Sequence, residues 1–378
     1  MNLGLYLHFP FCKSKCHYCD FNSYPLKNDN QLSSYISALY KEITIYSQKI
    51  KNSTIKTIYL GGGTPTVLSE DLIYNILNFC KNRLKIDNNA EITIEANPGT
   101  LDKKKTKRLN EAGINRISLG AQSFNDYLLK KLGRIHTTQD IIDSYYQARE
   151  SGFNNINLDI IFALPDQTLN DFQNTMKKAV SLKPDHLSLY NLTIEKGTKF
   201  FESFEEGKLN LPTEDEEYDM YSWAINFLEK NDFEHYEISN FARPSKRSIH
   251  NQIYWYNQPY LGIGAGAYSF INGYRYMNFK DPARYVKEVK SGKLPIDEGE
   301  KLSLRKRMAE TIILGLRTKD GVAYQKFKDR FKVKIDEIFN QQICKLINLG
   351  LLRKDNDKIQ LTKKGLFLAN SVFREFVD

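Results

Sequence analysis

A regular alternation of short apolar runs with longer amphipathic segments fills the first 230 residues and narrows the range of possible folds. The segments between the runs have the periodicity of helices, and two of them begin with capping-box pairs, Thr168–Asp171 and Thr213–Glu216. Strand–helix units in series predict a parallel sheet with right-handed crossovers. We therefore expect an α/β fold built on an open, partial (β/α)6 barrel. The six predicted strands cover residues 3–9, 55–60, 92–95, 116–120, 156–161 and 186–190.

The remainder of the chain has a different pattern. Short β-like segments rich in tyrosine run from Phe233 to Phe279, and a helix is predicted over 282–292. Three helices, a hairpin and a last helix then suggest a winged-helix-like module that is mainly α. These lie at 304–316, 323–331, 335–349, 351–361 and from Lys363 onward. We predict three parts: a barrel (1–235), an aromatic-rich β extension and connector (236–300), and the winged-helix-like domain (301–378).

The polar and glycine residues of the barrel are placed by the same pattern. Three cysteines follow the first predicted strand and three glycines follow the second. Glu95 ends the third strand, Gln122 follows the fourth, and Asp159 lies in the fifth. Since functional groups collect at the carboxyl ends of parallel strands, we expect all of them at one mouth of the barrel.

The cysteines are the strongest chemical signal. Cys12, Cys16 and Cys19 follow the spacing Cys-x3-Cys-x2-Cys within eight residues. Thiolates this close together favour a soft metal, which means an iron–sulfur cluster, zinc or Cu(I). A [4Fe–4S] cluster normally takes four thiolates, so three would leave one iron open to a small molecule.

Other interpretations of these cysteines remain open from the spacing alone. They could bind zinc with His8 or His17 as the fourth ligand, or Cys16 and Cys19 could form a redox pair. On a helix they could simply share a buried face. The redox pair leaves Cys12 unexplained, and the polar residues between the thiols disfavour a buried face. The other two cysteines, Cys80 and Cys344, sit in apolar helix-like patterns and are expected in the core.

Together with the aromatic Tyr18, this spacing resembles the signature of the radical S-adenosylmethionine (SAM) superfamily. The resemblance implies a [4Fe–4S] cluster on the three cysteines and SAM on its open iron. One electron from the cluster would then break the sulfonium to give a 5′-deoxyadenosyl radical. It also implies a set of SAM contacts at Tyr6, Tyr18, Gly62, Gly63, Thr64, Glu95, Gln122, Arg134 and Asp159. The residue types suit this role, because an arginine can grip a carboxylate and acids can bind ribose hydroxyls or an ammonium.

The resemblance runs nearly end to end within the branch that contains coproporphyrinogen III dehydrogenase. That enzyme carries a further cysteine two residues after the third, where this chain has Phe21. The HemW family of heme chaperones lacks that cysteine and has a His-Asn-x-x-Tyr-Trp motif, which resembles His250 to Trp255 here. The resemblance to HemW implies binding of heme and SAM and transfer of heme to acceptor proteins not identified by the sequence. An oxygen-independent coproporphyrinogen III dehydrogenase, or another radical SAM enzyme of porphyrin metabolism, is the alternative.

The motif gives the candidate heme contacts His250, Asn251, Tyr254 and Trp255. A neutral imidazole is a good axial ligand for heme iron, and aromatic rings can pack against the macrocycle. The other interpretation of His250 is a hydrogen-bonded structural histidine, because a single histidine is weak evidence for a ligand. Relatives often have histidine where this chain has Tyr268, so the resemblance assigns no role to that side chain.

The net positive charge of the chain is concentrated in its C-terminal part, which bears on the kind of partner it could bind. The formal net charge is +9, and residues 301–378 hold 18 Lys and Arg against 9 Asp and Glu, so this part accounts for all of it. A basic region suggests an acidic partner or a role in solubility. Helix 335–349 offers only Lys345 on its outer face, so we predict no nucleic-acid partner.

No apolar run approaches 18 residues, so no membrane-spanning segment is expected. Transient contact with membrane heme proteins is compatible with that. The first residues lack the features of a signal peptide, and reduced thiols suit the cytosol. We expect a cytoplasmic protein.

Overall fold

The computed structural model describes residues 1–377, and their first half alternates strands and helices as the sequence predicts. The strand predicted at 55–60 extends over Thr54–Gly62, and the helix before it covers Asp29–Lys49. The elements are β1 (Asn2–Phe9), β2 (Phe11–Cys12), β3 (Tyr24–Pro25), α1 (Asp29–Lys49), β4 (Thr54–Gly62), α2 (Glu70–Arg83), β5 (Ile86–Ala96), α3 (Lys103–Glu111), β6 (Arg116–Gln122), α4 (Asp126–Lys131), α5 (Thr138–Glu150), β7 (Ile156–Phe162), α6 (Leu169–Ser181) and β8 (His186–Asn191), with a 3-10 turn at Pro65–Val67.

The six predicted strands lie side by side in chain order. Every neighbouring pair in the series β1, β4, β5, β6, β7 and β8 is parallel. Alternation along β1 divides its side chains: Leu5 and Leu7 are buried in the apolar core, whereas Tyr6 and His8 line a cavity. Both predicted capping boxes, which open α6 and the later helix at Glu214–Glu229, are present. The expected series of six parallel strand–helix units is confirmed.

The middle of the chain extends the same sheet at both ends. Its elements are α7 (Lys199–Glu205), α8 (Glu214–Glu229), β9 (Glu234–Glu237), β10 (Asn240–Ala242), α9 (Ile249–Trp255), β11 (Tyr260–Ile263), β12 (Tyr268–Ile271), β13 (Tyr274–Asn278), α10 (Pro282–Lys290) and β14 (Ile296–Lys301). Strand β11 pairs parallel with β1, so β1 is an interior strand, and β12 to β14 continue antiparallel. At the other end β10 and β9 pair antiparallel beyond β8. The result is one twelve-stranded sheet.

The C-terminal part has a separate apolar core drawn from residues 308–376. Its elements are α11 (Leu304–Leu316), β15 (Val322–Ala323), α12 (Tyr324–Phe331), α13 (Ile335–Asn348), β16 (Leu352–Lys354), β17 (Lys358–Leu361), α14 (Lys363–Phe367) and α15 (Ala369–Arg374). Strand β17 lies between β15 and β16, so the predicted hairpin forms a small wing beside three helices.

Two main-chain hydrogen bonds attach this part to the edge of the large sheet. The N–H of Ile238 donates to the carbonyl of Arg317 (3.1 Å), and the N–H of Lys319 donates to the carbonyl of Tyr236 (2.9 Å). These bonds cover the edge strand β9. They pair main-chain N–H and carbonyl groups that could otherwise hydrogen-bond to a strand of another chain.

One expectation about the cores is wrong. Cys80 is fully buried, but Cys344 is exposed. The buried face of α13 follows Ile335, Phe339, Ile343 and Leu346. Cys344 comes one residue after Ile343 and is therefore rotated about 100° from that face. Among residues 1–377, no helix combines the length and apolar character needed to cross a membrane.

Candidate functional site

Cys12, Cys16 and Cys19 line one cavity of about 390 Å³ at the carboxyl ends of the barrel strands. None of the three is in a disulfide. Each sulfur has a polar neighbour: the hydroxyl of Thr64 donates to Cys12 Sγ (3.6 Å), Nη1 of Arg134 donates to Cys16 Sγ (3.4 Å), and Cys19 Sγ lies 4.0 Å from the Ser23 hydroxyl. Burial raises the pKa of Cys12 and Cys19, and the neighbouring donors partly oppose this shift by stabilising the thiolate form that binds iron.

Neither histidine near the thiols is placed as a fourth zinc ligand. Nδ1 of His17 donates to the carbonyl of Lys131 (3.0 Å), and its ring packs against Gly133. Nε2 of His8 donates to the carbonyl of Asn22 (2.9 Å). Within residues 1–377 no three His, Cys, Asp or Glu side chains are arranged to hold a single metal ion. The donor set of three sulfurs is therefore better suited to a cluster with several irons than to one zinc ion.

The glycines after β4 allow close backbone approach to the cysteine loop. A Cβ on Gly62 would lie 2.5 Å from the His8 ring, and a Cβ on Gly63 would lie 2.5 Å from the carbonyl oxygen of Phe11. Gly62 also has a φ of 111°, which L side chains rarely adopt. The N–H of Thr64 donates to Phe11, joining this turn to the strand that carries Cys12.

Two partly buried acids face the cavity, and removal from solvent raises the pKa of each. The pKa of Glu95 is raised to about 7, with a smaller upward contribution from the nearby Asp159 carboxylate. Glu95 accepts hydrogen bonds from the hydroxyl of Tyr59 (2.8 Å) and the N–H of Gly62 (3.0 Å). Burial likewise raises the pKa of Asp159, although the Ser118 hydroxyl donates to it (2.9 Å).

Arg134 and Gln122 complete the polar lining of this cavity. Nη2 of Arg134 donates to Asn97 Oδ1 (2.7 Å) and to the carbonyl of Gly120 (2.9 Å), which fixes the guanidinium beside Cys16. Gln122, at the end of β6, has a φ of 64°. A non-glycine residue in this left-handed region is strained, and such strain is concentrated at functional sites.

Eight of the nine predicted SAM contacts line this first cavity, and Tyr6 does not. Tyr18 lies there beside a small apolar cluster that includes Phe200. Sequence reasoning missed Tyr59 and Asn97, which position Glu95 and Arg134. Asn97 directly follows strand β5, so its place at a strand end was the signal that could have identified it.

A second cavity of about 540 Å³ adjoins the first and holds Tyr6. The two cavities share the segment after Cys19, including Phe21 and Ser23, together with Gly62 and Glu95. Its other wall is the tyrosine-rich extension. Nδ2 of Asn22 donates to the carbonyls of Ala265 and Lys280 (3.0 Å each), which ties the shared segment to that extension. The lining residues are Tyr6, His8, Lys15, Asp20, Phe21, Asn22, Ser23, Tyr24, Gly62, Glu95, Tyr254, Tyr260, Gly266, Tyr268 and Lys280.

The predicted heme motif forms helix α9, which packs into the barrel interior on one side. His250 is buried, with hydrogen bonds joining Nδ1 to the Thr57 hydroxyl (2.7 Å) and Nε2 to the Tyr254 hydroxyl (2.8 Å). Burial lowers the pKa of His250 to about 3, so the ring is neutral. Tyr254 alone of the four candidates lines the second cavity. His250 could reach a ligand there only if α9 moved.

The other two residues of the motif face away from the cavities. Trp255 packs beneath the guanidinium of Arg317 in the C-terminal part, 4.5 Å from ring centroid to Cζ. The N–H of Asn251 donates to the hydroxyl of Ser248, which is the N-cap of the helix. The structure therefore does not bring all four candidate heme contacts together on one surface.

Comparisons with known proteins give a consistent pattern. Residues 6–179 match the radical SAM superfamily, and residues 302–368 match the HemN C-terminal domain. The chain is 41% identical to heme chaperone HemW of Lactococcus lactis, covering 98% of this chain and 96% of that protein. The corresponding values for heme chaperone HemW of Bacillus subtilis are 37%, 98% and 98%.

A solved structure is also similar over nearly the whole chain. Coproporphyrinogen III oxidase (HemN) from Escherichia coli, described as a radical SAM enzyme, superposes with a TM-score of 0.87. The superposition covers 99% of this chain and 89% of that one, at 26% identity. The likeness therefore includes the barrel, the β extension and the C-terminal part.

Proposed function

The chain belongs to the HemW family of heme chaperones within the radical SAM superfamily, and on that premise we propose that it binds heme and passes it to acceptor proteins. We propose that the protein also binds a [4Fe–4S] cluster and SAM. The observation that carries the proposal is the first cavity, where three unpaired thiols and buried polar residues meet in a chain similar to HemW along its length.

Cys12, Cys16 and Cys19 are the proposed cluster ligands. When bound, the cluster supplies an electron to the sulfonium of SAM. The chain's own part is to hold the thiolates with Thr64, Arg134 and Ser23. Three ligands from the protein leave one iron for SAM.

We propose the predicted SAM contacts as the binding set for this cofactor. Arg134 is fixed by two oxygen acceptors and presents its guanidinium beside Cys16. Glu95 and Asp159 suit the ammonium or the ribose hydroxyls of SAM. We propose that Tyr6 contacts SAM from the adjoining second cavity. Its hydroxyl donates to Nδ1 of His8 there (3.1 Å).

The coproporphyrinogen dehydrogenase alternative is disfavoured by the residue at position 21. By resemblance that activity goes with a cysteine there, but this chain has Phe21, whose side chain is exposed at the opening of both cavities. A phenyl ring cannot ligate iron or transfer a proton. We therefore assign no catalytic residue and propose a carrier role.

We propose acceptor proteins of heme as the partners and the cytoplasm as the location. Three free thiols that bind iron require reducing conditions. Transient contact with membrane heme proteins is consistent with this location.

The test of the proposed function is anaerobic reconstitution followed by hemin titration. Purified protein rebuilt with iron and sulfide should hold about four irons per chain, with the charge-transfer absorption of a cubane cluster. Added hemin should give a saturable Soret band, and the heme should move to an apo-acceptor protein on mixing. A Cys12→Ala, Cys16→Ala, Cys19→Ala triple variant is the control for the cluster. Absence of saturable heme binding, or turnover of coproporphyrinogen, would contradict the proposal.

A further inference from the structure

The second cavity has the size and lining of a site for a flat aromatic ligand. Its volume of about 540 Å³ falls within the range of about 300–1,000 Å³ for small-molecule sites. Six aromatic side chains line it, against four in the first cavity. They are Tyr6, Phe21, Tyr24, Tyr254, Tyr260 and Tyr268. Resting on the proposed function, we infer that this cavity is the heme site and that Tyr268 is the axial ligand of the ferric iron.

The aromatic rings are arranged to hold a macrocycle between a deep wall and an exposed rim. Tyr254 and Tyr260 meet edge to face in the wall, with ring centroids 4.7 Å apart. Phe21 and Tyr268 at the rim are 62% and 48% exposed. Stacking of a porphyrin on these rings would bury apolar surface that is now open to solvent.

Most potential iron ligands in the cavity are already occupied. Both nitrogens of His8 are hydrogen-bonded, and burial lowers its pKa to about 4. The hydroxyl of Tyr24 donates to Asn22 Oδ1 (3.1 Å), and that of Tyr254 bonds to His250. Each of these groups would have to give up a hydrogen bond before it could bind iron.

The remaining phenol oxygens of the lining belong to Tyr260 and Tyr268. Burial raises the pKa of Tyr260 to about 12, which opposes loss of its phenolic proton. Tyr268 makes no side-chain hydrogen bond within residues 1–377, and its exposure lets the proton leave to solvent as ferric iron replaces it on Oη. A tyrosine phenolate is an established ligand for ferric heme. Tyr268 therefore has the only phenol oxygen in the lining, among the described residues, that is both exposed and free of a hydrogen bond.

Two lysines in the lining match the propionates of heme. Lys15 and Lys280 are both exposed, and Lys280 lines the second cavity only. Asp20 and Glu95, the acids of this cavity, both line the first cavity as well. The propionates should therefore point toward Lys280, away from the cluster.

The experiment is hemin titration of the reconstituted full-length protein and of single variants. Tyr268→Phe should weaken heme binding at least about tenfold and remove the charge-transfer band of phenolate-bound ferric heme. Tyr268→His should restore tight binding with an imidazole-type spectrum. Lys280→Gln should weaken binding a few-fold, as expected for one exposed ion pair.

Matched controls lie in the same region of the chain. Tyr274 is 49% exposed on the next strand and lies outside the cavity lining, so Tyr274→Phe should bind heme like wild type. Lys293→Gln removes an equally exposed charge outside the lining. Thermal melts and cluster iron content would verify that each variant is folded.

Two results separate failure of this inference from failure of the proposed function. Heme binding by wild type with an unchanged spectrum and affinity in Tyr268→Phe would overturn the inference and leave the chaperone proposal standing. Loss of the axial-ligand spectrum in His250→Ala but not in Tyr268→Phe would also overturn the inference. It would identify His250 on α9 as the axial ligand and leave the chaperone proposal standing. No heme binding by wild type would overturn both.

Discussion

For Glu95, the sequence predicts the position of the side chain in the site but not its protonation state. Its position at the end of a strand made it predictable from sequence, but its protonation is a property of the folded site. Burial and the Asp159 carboxylate raise its pKa to about 7, and hydrogen bonds from Tyr59 and Gly62 only partly oppose this shift. The carboxyl is thus largely protonated below pH 7 and ionised above it.

We predict that SAM affinity rises as the pH increases from about 6 to 8, because the ionised form of Glu95 is the one that binds a cation or accepts two hydroxyl hydrogen bonds. Glu95→Gln should bind SAM at least about tenfold more weakly, since a charge-assisted hydrogen bond contributes about 1.5–3 kcal/mol. It should also bind with a flatter pH dependence. Calorimetric titration across this pH range would measure both effects.

Glu42 provides a matched control for this measurement. It is a second buried glutamate whose pKa burial raises to about 7, but it lies on α1 and bonds to Gly264, Tyr285 and Asn278 instead of lining the cavity. Glu42→Gln should keep the pH dependence of SAM binding. Equal slopes in wild type and Glu95→Gln would show that another group controls it.

The residues that sequence reasoning missed share one property. Tyr59 and Asn97 act by contact with Glu95 and Arg134, which lie 36 and 37 residues further along the chain. A local pattern can mark Asn97 as a residue at a strand end, but it cannot reveal the partner of Asn97 or of Tyr59 on another element. The three thiols, by contrast, were predictable because a single loop carries all of them.

At the scale of elements, the barrel strands were predictable and the extension was only partly so. Each barrel strand is a continuous apolar run followed by a helix, so local sequence defines it. Strand β11 has four residues, and its parallel pairing with β1 depends on a partner some 250 residues earlier. The sequence of β11 predicts a strand, but it does not predict that this strand pairs with β1.

Helix α9 is the element whose interpretation changes most. As a sequence motif it suggested a heme ligand, whereas its structure links the barrel interior to the C-terminal part. Its first two N–H groups, of Ile249 and His250, donate to the carboxylate of Glu91 on β5 (3.0 and 2.9 Å). Trp255 at its end contacts Arg317. A helix of seven residues is too short to be stable by its intrinsic helix propensity alone. These contacts with the barrel and the C-terminal part therefore stabilise it.

We predict that His250→Ala lowers the free energy of unfolding by about 2–4 kcal/mol, because it leaves a cavity and removes partners from the buried hydroxyls of Thr57 and Tyr254. Burial lowers the pKa of His250 to about 3, well below its value near 6.5 in the unfolded chain. Its stabilising contribution is therefore complete above pH 6.5 and is lost as the pH falls toward 3. Urea denaturation at pH 8 and pH 5 should show a larger difference between wild type and variant at pH 8.

Asn251→Ala is the control on the same helix, since the Asn251 side chain makes no hydrogen bond within residues 1–377. Its effect should stay within about 0.5 kcal/mol. If His250→Ala were as stable as wild type and lost only the heme spectrum, α9 would be a ligand-bearing helix and not a structural link.

At the scale of the whole molecule, the question is how the basic C-terminal part is held on the barrel. Besides the two main-chain bonds at the edge of β9, Arg330 of α12 reaches the end of α9. Its guanidinium donates to the carbonyls of Tyr256 (3.2 Å) and Asn257 (2.7 Å). Asn257 has a φ of 50°, so this turn is a strained point fixed by the contact. Arg330 thus connects the C-terminal part to the end of α9, in addition to the contact of Arg317 with Trp255.

We predict that Arg330→Ala loosens the interface without unfolding either core, since it removes two hydrogen bonds from a charged donor, worth about 1.5–3 kcal/mol each at most. The amide protons of Ile238 and Lys319, which join the two parts, should exchange at least about tenfold faster in hydrogen-exchange measurements. Lys328→Ala, which removes an exposed charge from the same helix, should leave these rates unchanged. Unaltered exchange in Arg330→Ala would mean that the bonds at β9 hold the C-terminal part without help from α12.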